Sequence, residues 1–428
     1  MVVRVYLKQA WNLMKQNPLF STLYIVGTGI SIVMTMVIAI VYYVRLAPVY
    51  PETNRMRTLV VKSAKMTNDE STHSANISYA MLKDWFYSLE SAEVSTGVSG
   101  TSYARVTNDK EEIPTYARYT DENFFRVFPL VFLEGKPFTE ADRRSGIHNV
   151  VLTDSYAQQL FGTTKGVVGK NFLMDYTNVK VVGVVKSGSF LTPDSYAQVY
   201  LPYSCREGYD DEGSHWALGG YRVYILMKES KSVTDVQDEV LELIRKFNVS
   251  DMGDGWKLDL VGQPELYWHS TFRLWSNVAV DWGRVIWMFV GIFMVLLFVP
   301  AFNLSGMISA RMERQLPDLG IRKAFGASRR RLLVQIIWEN LLLTGLGTLL
   351  GLVIAWIVLA LSGYEIFEVF PKFPPKGVNL GMGIDMFFAP LIFVAAALFC
   401  LLLNLISALI PAWNALRHPI VESLNEQK

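Results

Sequence analysis

The sequence predicts an α-helical membrane protein with four transmembrane helices and a mixed α/β extracytoplasmic domain. Three observations carry that fold class. Hydrophobic residues make up 51% of the chain and charged residues only 18%, too apolar a balance for an ordinary soluble protein. Four long windows lack any Asp, Glu, Lys or Arg. Between the first and second of these lies a long stretch that alternates strand-like and helix-like patterns. The net charge of +1 supplies no basic field for a nucleic-acid partner.

Residues 1–19 predict a cytoplasmic amphipathic helix lying in the membrane interface. Arg4, Lys8, Asn12 and Gln16 recur on one stripe, while Val3, Tyr6, Leu7, Ala10, Trp11, Leu13 and Met14 cover the rest. The apolar segment that follows is too long for a secretory signal, and no small-residue cleavage site closes it. About 20 helical residues cross the hydrocarbon core, so the first window gives a span at 20–44 (TM1). The other charge-free windows, 285–310, 340–364 and 386–416, give TM2 at 285–310, TM3 at 332–361, extended back through Leu332 and Glu339, and TM4 at 386–411. Residues 362–385 form a short outer loop and 412–428 a tail, with Pro411 ending or kinking TM4.

Orientation follows from the basic residues. The loop at 311–331 carries Arg311, Arg314, Arg322, Lys323, Arg329, Arg330 and Arg331 against Glu313 and Asp318, and the N-terminal segment carries Arg4, Lys8 and Lys15. The loop after TM3 has Lys372 and Lys376 offset by Glu365, Glu368 and Asp385. The positive-inside rule places both termini and the 311–331 loop in the cytoplasm and residues 46–283 outside.

Within 46–283, runs rich in Val, Tyr and Leu predict strands at Thr58 to Val61, Val150 to Leu152, Val179 to Val185, Val199 to Leu201, Tyr221 to Met227 and Trp256 to Val261. Helical spacing covers Ser78 to Leu89, Asp121 to Phe128, Asp154 to Phe161 and Val233 to Phe247, several opening on a capping Ser or Asp. The order predicts two lobes, with residues near 120–215 inserted into a fold made by the flanks. Cys205 and Cys400 fall in different environments, which argues against a disulfide framework.

The most specific signal is the basic loop. Gly320, Gly326 and Ala327 separate basic turns, Ala327 and Ser328 can start a helix leading into TM3, and Ile321, Ala324 and Phe325 can share one apolar side. The run LGIRKAFGASRRRLLVQIIWENLLLTGLGTLLGL resembles the signature of FtsX-like permeases of the MacB type, membrane subunits of type VII ABC transporters. DENFFRVFPLVFLEGKPFTEADR, VVLTDSYAQQLFG, GVVGKNF and VVGVV follow the order of the MacB-like periplasmic core domain, and PAWNALRHPIVESL is similar to the ending of these permeases.

The resemblance implies a coupling helix at Gly320, Ile321, Arg322, Lys323, Ala324, Phe325, Gly326, Ala327 and Ser328 that docks on a cytoplasmic ABC ATPase dimer. It implies a bacterial inner-membrane location, a second permease copy or close paralogue, and a periplasmic adaptor or outer-membrane duct as further partners. Gln315, Leu316, Pro317 and Asp318 depart from the family's charged helical turn, and Pro317 disfavours helix at Leu316. Implied activities include expelling peptides or antibiotics, other mechanotransmission, and, as an alternative, lipoprotein release.

The residues themselves offer no catalytic set. TTKGVVGKN has Thr164 where a Walker A needs its first Gly and Asn171 where it needs a hydroxyl, so ATP and Mg are expected on a partner and no cofactor on this chain. His73, His148, His215, His269 and His418 lack metal-ligand spacing, and there is no GxSxG elbow. Asn303 and Asn404 are costly in lipid without partners, while Gly345, Gly347 and Gly351 allow close helix approach, so these five are expected at dimer or interhelix contacts. A reading from another class is a membrane-anchored sensor or scaffold whose outer domain binds a ligand.

Overall fold

The computed structural model describes residues 11, 14, 15, 18–99, 102–108, 111–189, 191–210, 216–250, 255–296, 321, 325–361, 393–395, 397–399, 401 and 402. The chain forms two compact units, one of Tyr43–Trp282 with Phe367–Gly383, the other of Met1–Tyr42, Gly283–Ile366 and Ile384–Lys428.

The α/β unit contains two sheets. The first has eight strands: β1 (Thr58–Val61), β2 (Ala64–Thr67), β3 (Thr72–Ile77), β4 (Ala92–Ser99), β12 (Leu218–Gly219), β13 (Tyr221–Met227), β14 (Lys257–Asp259) and β15 (Glu265–Leu266). β13 is its spine, antiparallel to β1 on one side and to β4 along most of its length on the other. Val223, Tyr224, Ile225 and Leu226 of β13 are all buried, the continuous apolar run expected of a strand covered on both faces.

The second sheet collects β5 (Ser102–Asn108), β6 (Glu111–Thr120), β7 (Phe132–Gly135), β8 (Asn149–Thr153), β9 (Asn171–Met174), β10 (Thr177–Val185) and β11 (Val199–Pro202). The order β10-β8-β11-β6-β5-β9 returns to β10, because the first half of β10 pairs with β9 and the second half with β8. The sheet thus closes on itself, which removes two exposed edges. All its strands lie between β4 and β12 in the chain, so this lobe is an insertion into the first sheet. It begins at Ser102, earlier than the boundary near 120 that composition suggests, because the β5–β6 hairpin carries Arg105, Glu111 and Glu112 and reads as a polar flank.

Helices fill the remaining faces: α2 (Tyr79–Asp84), α3 (Phe124–Val127), α4 (Glu140–Arg144), α5 (Asp154–Phe161), α6 (Val233–Val249) and α7 (Tyr267–Ser270), preceded in the chain by α1 (Pro18–Leu46). α6 buries Val236, Val240, Ile244 and Phe247 on one stripe, and Ser232 with Asp235 forms a capping box at its start. Such a cap contributes about 1 kcal/mol.

The helical unit contains α1 up to Tyr42, α8 (Trp282–Leu296) from Gly283 onward, and α9 (Arg329–Leu361). Among the described residues, α1 and α9 are long and apolar enough to cross a bilayer. α1 and α8 meet where Tyr42 lies 5.0 Å from the ring of Phe289, and Phe293 of α8 lies 5.8 Å from Phe399 of a helical stretch near residue 400.

Candidate coupling site and the helix seam behind it

Phe325 N–H donates to the Ile321 carbonyl at 3.0 Å, closing one helical turn. Ile321 is 47% exposed and Phe325 88% exposed, so two apolar side chains four residues apart stand in the open. Gly326 follows at φ +88° with no atom near its absent Cβ. That left-handed residue ends the turn, as glycine does after many helices. Ser328 then starts α9, its carbonyl accepting from Arg331 and Leu332 N–H at 3.0 and 3.2 Å and its Oγ from Arg331 N–H at 3.4 Å. Gly320, Arg322, Lys323, Ala324 and Pro317 lie outside the described residues.

The start of α9 is electrostatically unusual. Arg330 and Arg331 are exposed in its first turn, where the positive end of the helix dipole disfavours cations by a few tenths of a kcal/mol each. An anionic neighbour would offset that cost.

α9 then runs 33 residues, about 50 Å, with Leu332, Ile336, Glu339, Asn340, Leu343 and Thr344 buried along one stripe. Glu339 accepts from Gln335 Nε2 at 3.0 Å, while Asn340 Nδ2 donates to the Ile336 carbonyl at 3.0 Å. The stripe continues into a close seam with α1. A Cβ on Gly347 would lie 2.7 Å from Thr28 Cβ, and one on Gly351 would lie 2.7 Å from the Gly29 carbonyl oxygen. Tyr24 and Thr344 hydroxyls hydrogen-bond at 3.1 Å.

Gly347 and Gly351 are therefore occupied by α1 of the same chain, whereas Gly345 faces open space. The pairs Tyr24 with Thr344, Thr28 with Gly347 and Ile32 with Gly351 advance together, so the two helices run parallel. Asn303 and Asn404 lie outside the described residues.

Two clusters in the α/β unit escaped sequence reasoning. Arg55 and Glu52 form a buried ion pair at 2.7 Å. Arg55 Nη1 donates to the carbonyls of Val44 and Ala47 at 2.6 Å, capping the end of α1, and its guanidinium sits 4.9 Å from the Tyr267 ring. Glu52 Oε1 accepts from Ser195 N–H and Oγ at 3.0 and 2.8 Å. The second cluster surrounds Asp121, whose carboxylate accepts from Thr96 Oγ1 (2.6 Å), Tyr87 OH (2.5 Å), Gly97 N–H (2.9 Å) and Phe124 N–H (3.1 Å). It joins the end of β6 to β4 of the first sheet. Burial outweighs those four donors and pushes Asp121 up to about 6.

Among the described residues no three His, Cys, Asp or Glu side chains gather as a metal site. Residues 20–243 match the MacB-like periplasmic core domain, and residues 277–420 match the FtsX-like permease C-terminal domain. The chain belongs to the MacB/FtsX-like ABC permease family. It is 22% identical over 326 residues to the macrolide export ATP-binding/permease protein MacB of Escherichia coli O157:H7, covering 75% of this chain and 45% of that protein. It is 25% identical over 237 residues to the pyoverdine export ATP-binding/permease protein PvdT of Pseudomonas entomophila, covering 54% of this chain and 34% of that one. The chain thus spans less than half the length of these curated relatives. The crystal structure of the periplasmic region of MacB from Actinobacillus actinomycetemcomitans is similar at a TM-score of 0.34 and 16% identity, over 47% of this chain and 89% of that one, a likeness too slight to add to the assignment.

Within this MacB/FtsX-like permease the match to the periplasmic core domain takes in the α/β unit from Tyr43 as far as residue 243, and α8, the Ile321–Phe325 turn and α9 fall in the match to the permease domain. The exposed apolar turn was legible from the spacing of Gly320, Ile321, Phe325 and Gly326. The Arg55 pair had no comparable signal, because its partners Ser195 and Tyr267 are remote in the chain.

Proposed function

We propose that this chain is the transmembrane subunit of an ABC transporter that couples ATP hydrolysis, performed outside these 428 residues, to movement of its periplasmic domain. The observation that carries the reading is Phe325, an aromatic ring 88% exposed on a single turn and joined through Gly326 and the Ser328 cap to a 33-residue helix. An exposed aromatic at the start of a span suits insertion into a groove of a cytoplasmic partner. The partner is an ABC ATPase dimer, which binds ATP and Mg, and the coupling element comprises residues 320–328.

The parallel run of α1 and α9 supports a topology with both termini in the cytoplasm of a bacterial inner-membrane protein. A chain that leaves the membrane at the end of α1 and begins α9 on the starting side must cross back between them, and the apolar α8 lies there. TM4 at 386–411 completes four spans. Exposed Arg330 and Arg331 at the α9 start would meet anionic headgroups or an acidic partner on the cytoplasmic face.

A second copy or a paralogue completes the permease, contacting surfaces other than the Gly347–Gly351 seam already filled by α1. The named relatives are export proteins, which favours efflux of peptides or antibiotics, through a periplasmic adaptor or outer-membrane duct, over lipoprotein release. Affinity purification of the full chain from membranes with ATP and a hydrolysis-blocked ATPase tests the reading. An ABC ATPase is expected in the complex; its absence would favour a membrane-anchored sensor.

A further inference from the structure

In the segment between α7 and α8 the Arg273 side chain is turned in, while Leu274, Trp275 and Val278 are turned out. Arg273, whose side chain is 3% exposed, pairs with Glu265. The same guanidinium donates to the Val278 carbonyl at 2.6 Å and to the Val261 carbonyl at 2.8 Å. Val278 N–H donates to the Trp275 carbonyl at 3.2 Å, closing a turn. The Ser276 carbonyl lies 3.5 Å from Gln263 Nε2, a group that also holds the carbonyls of Ser63 and Leu260. Both ends of the loop and several of its carbonyls are thus tied to the α/β unit.

Apart from Asn277, what remains outside between residues 274 and 279 is apolar. Leu274 is 65% exposed, Trp275 66% and Val278 48%, and residues 274–280, LWSNVAV, carry no charge. The base of the loop is set by rings: Trp282, the first residue of α8, lies 5.9 Å from Trp268, 5.0 Å from His269 and 6.3 Å from Phe272. A charge-free turn that displays Leu and Trp is costly in water and is held there by a buried arginine. Its amphipathic tryptophan suits the boundary between headgroups and acyl chains.

We infer that the turn Leu274–Val278 is a lipid-docking finger of the α/β unit, seated in the interfacial layer of the outer leaflet. The occupant is a lipid surface because the finger continues directly into an apolar helix. Trp275 lies within about 25 Å of extended chain from the start of α8, and α8 exposes Ile286 and Trp287 in turn. Arg273 acts as a positioning residue: by taking the Val278 carbonyl it lowers the polar cost of placing this turn in a low-dielectric layer. The inference rests on α8 spanning the bilayer, and on nothing concerning the ATPase or substrate.

Spin labelling of the full chain in lipid nanodiscs tests it. In a Cys205→Ser, Cys400→Ser background, nitroxides are placed one at a time at Trp275→Cys, at Trp287→Cys on α8, and at Val249→Cys at the exposed end of α6. Collision rates with dissolved oxygen and with a water-soluble nickel chelate are then compared. The finger predicts an oxygen-to-nickel ratio at 275 several-fold above that at 249 and close to that at 287. A ratio at 275 equal to that at 249, with 287 still lipid-like, overturns the finger and leaves the span intact. Protection from both colliders with strong dipolar broadening would show a second copy on the turn and also overturns it. A water-like ratio at both 275 and 287 removes the span and the finger together.

Discussion

Replacing Gly351 with Ala puts a methyl group where α9 and α1 touch backbone to backbone. The new Cβ would lie 2.7 Å from the Gly29 carbonyl oxygen and 2.8 Å from Ile32 Cβ, and the oxygen is a backbone atom that cannot rotate away as a side chain can. The helices must separate locally, an overpacking that costs about 1–3 kcal/mol. Two sibling substitutions make the expectation specific. Gly29→Ala would meet the Gly347 carbonyl oxygen at 3.4 Å and Leu350 Cδ2 at 3.6 Å, ordinary contacts, and Gly345→Ala would meet nothing within 4 Å. Both should be close to neutral, the second helped by the better helix propensity of Ala, worth up to about 1 kcal/mol in water. The assay is thermal unfolding of the full chain in detergent, with the three variants beside wild type. Gly351→Ala should lower the midpoint by several degrees and the other two should not. A loss for Gly345→Ala as large as for Gly351→Ala would refute the seam as drawn.

Two further expectations concern the α/β unit. Arg55→Met removes one partner of a buried pair and strands Glu52, which should cost about 3–5 kcal/mol; adding Glu52→Gln, which keeps the acceptor for Ser195, should recover part of the lost thermal midpoint, and no recovery would contradict the pairing. Asp121, pushed up to about 6, holds its proton more tightly in the folded than in the unfolded state. Its contribution is therefore complete below about pH 4 and is lost as pH rises to about 6, roughly 3 kcal/mol in all. Asp121→Asn should flatten that part of the stability profile between pH 4 and 7, and parallel profiles for variant and wild type would contradict it.

Strands with continuous apolar runs, such as β13 and β11, were legible because burial on both faces leaves a compositional mark. β4 was not: its inward positions include Ser95, Thr96 and Ser99, which read as loop until Asp121 is seen to satisfy Thr96. β5 and β6 were hidden by exposed charges on a hairpin that helps close the second sheet. Periodicity marked α6 from its Val236, Val240 and Ile244 stripe and placed α9 as one long helix. It could not say which helix meets Gly347 and Gly351, because a small-residue stripe is equally suited to a partner copy and to α1. The exposed Ile321–Phe325 turn was visible because glycines isolate those two residues, whereas the inferred lipid finger depends on where Arg273 turns, which only the folded chain reveals.

The proposed function requires docking of Phe325 and Ile321 on an ABC ATPase. It is tested most directly by the ATP hydrolysis rate of the ATPase that co-purifies with this chain, measured alone, with wild-type permease, and with Phe325→Asp or Ile321→Asp, all reconstituted in lipid. Wild type should stimulate hydrolysis. Phe325→Asp should raise the permease concentration needed for half-stimulation by about thirty-fold or more, the equivalent of about 2 kcal/mol of lost aromatic burial, and Ile321→Asp should act in the same direction. Stimulation by both variants at wild-type concentrations would contradict docking through this turn.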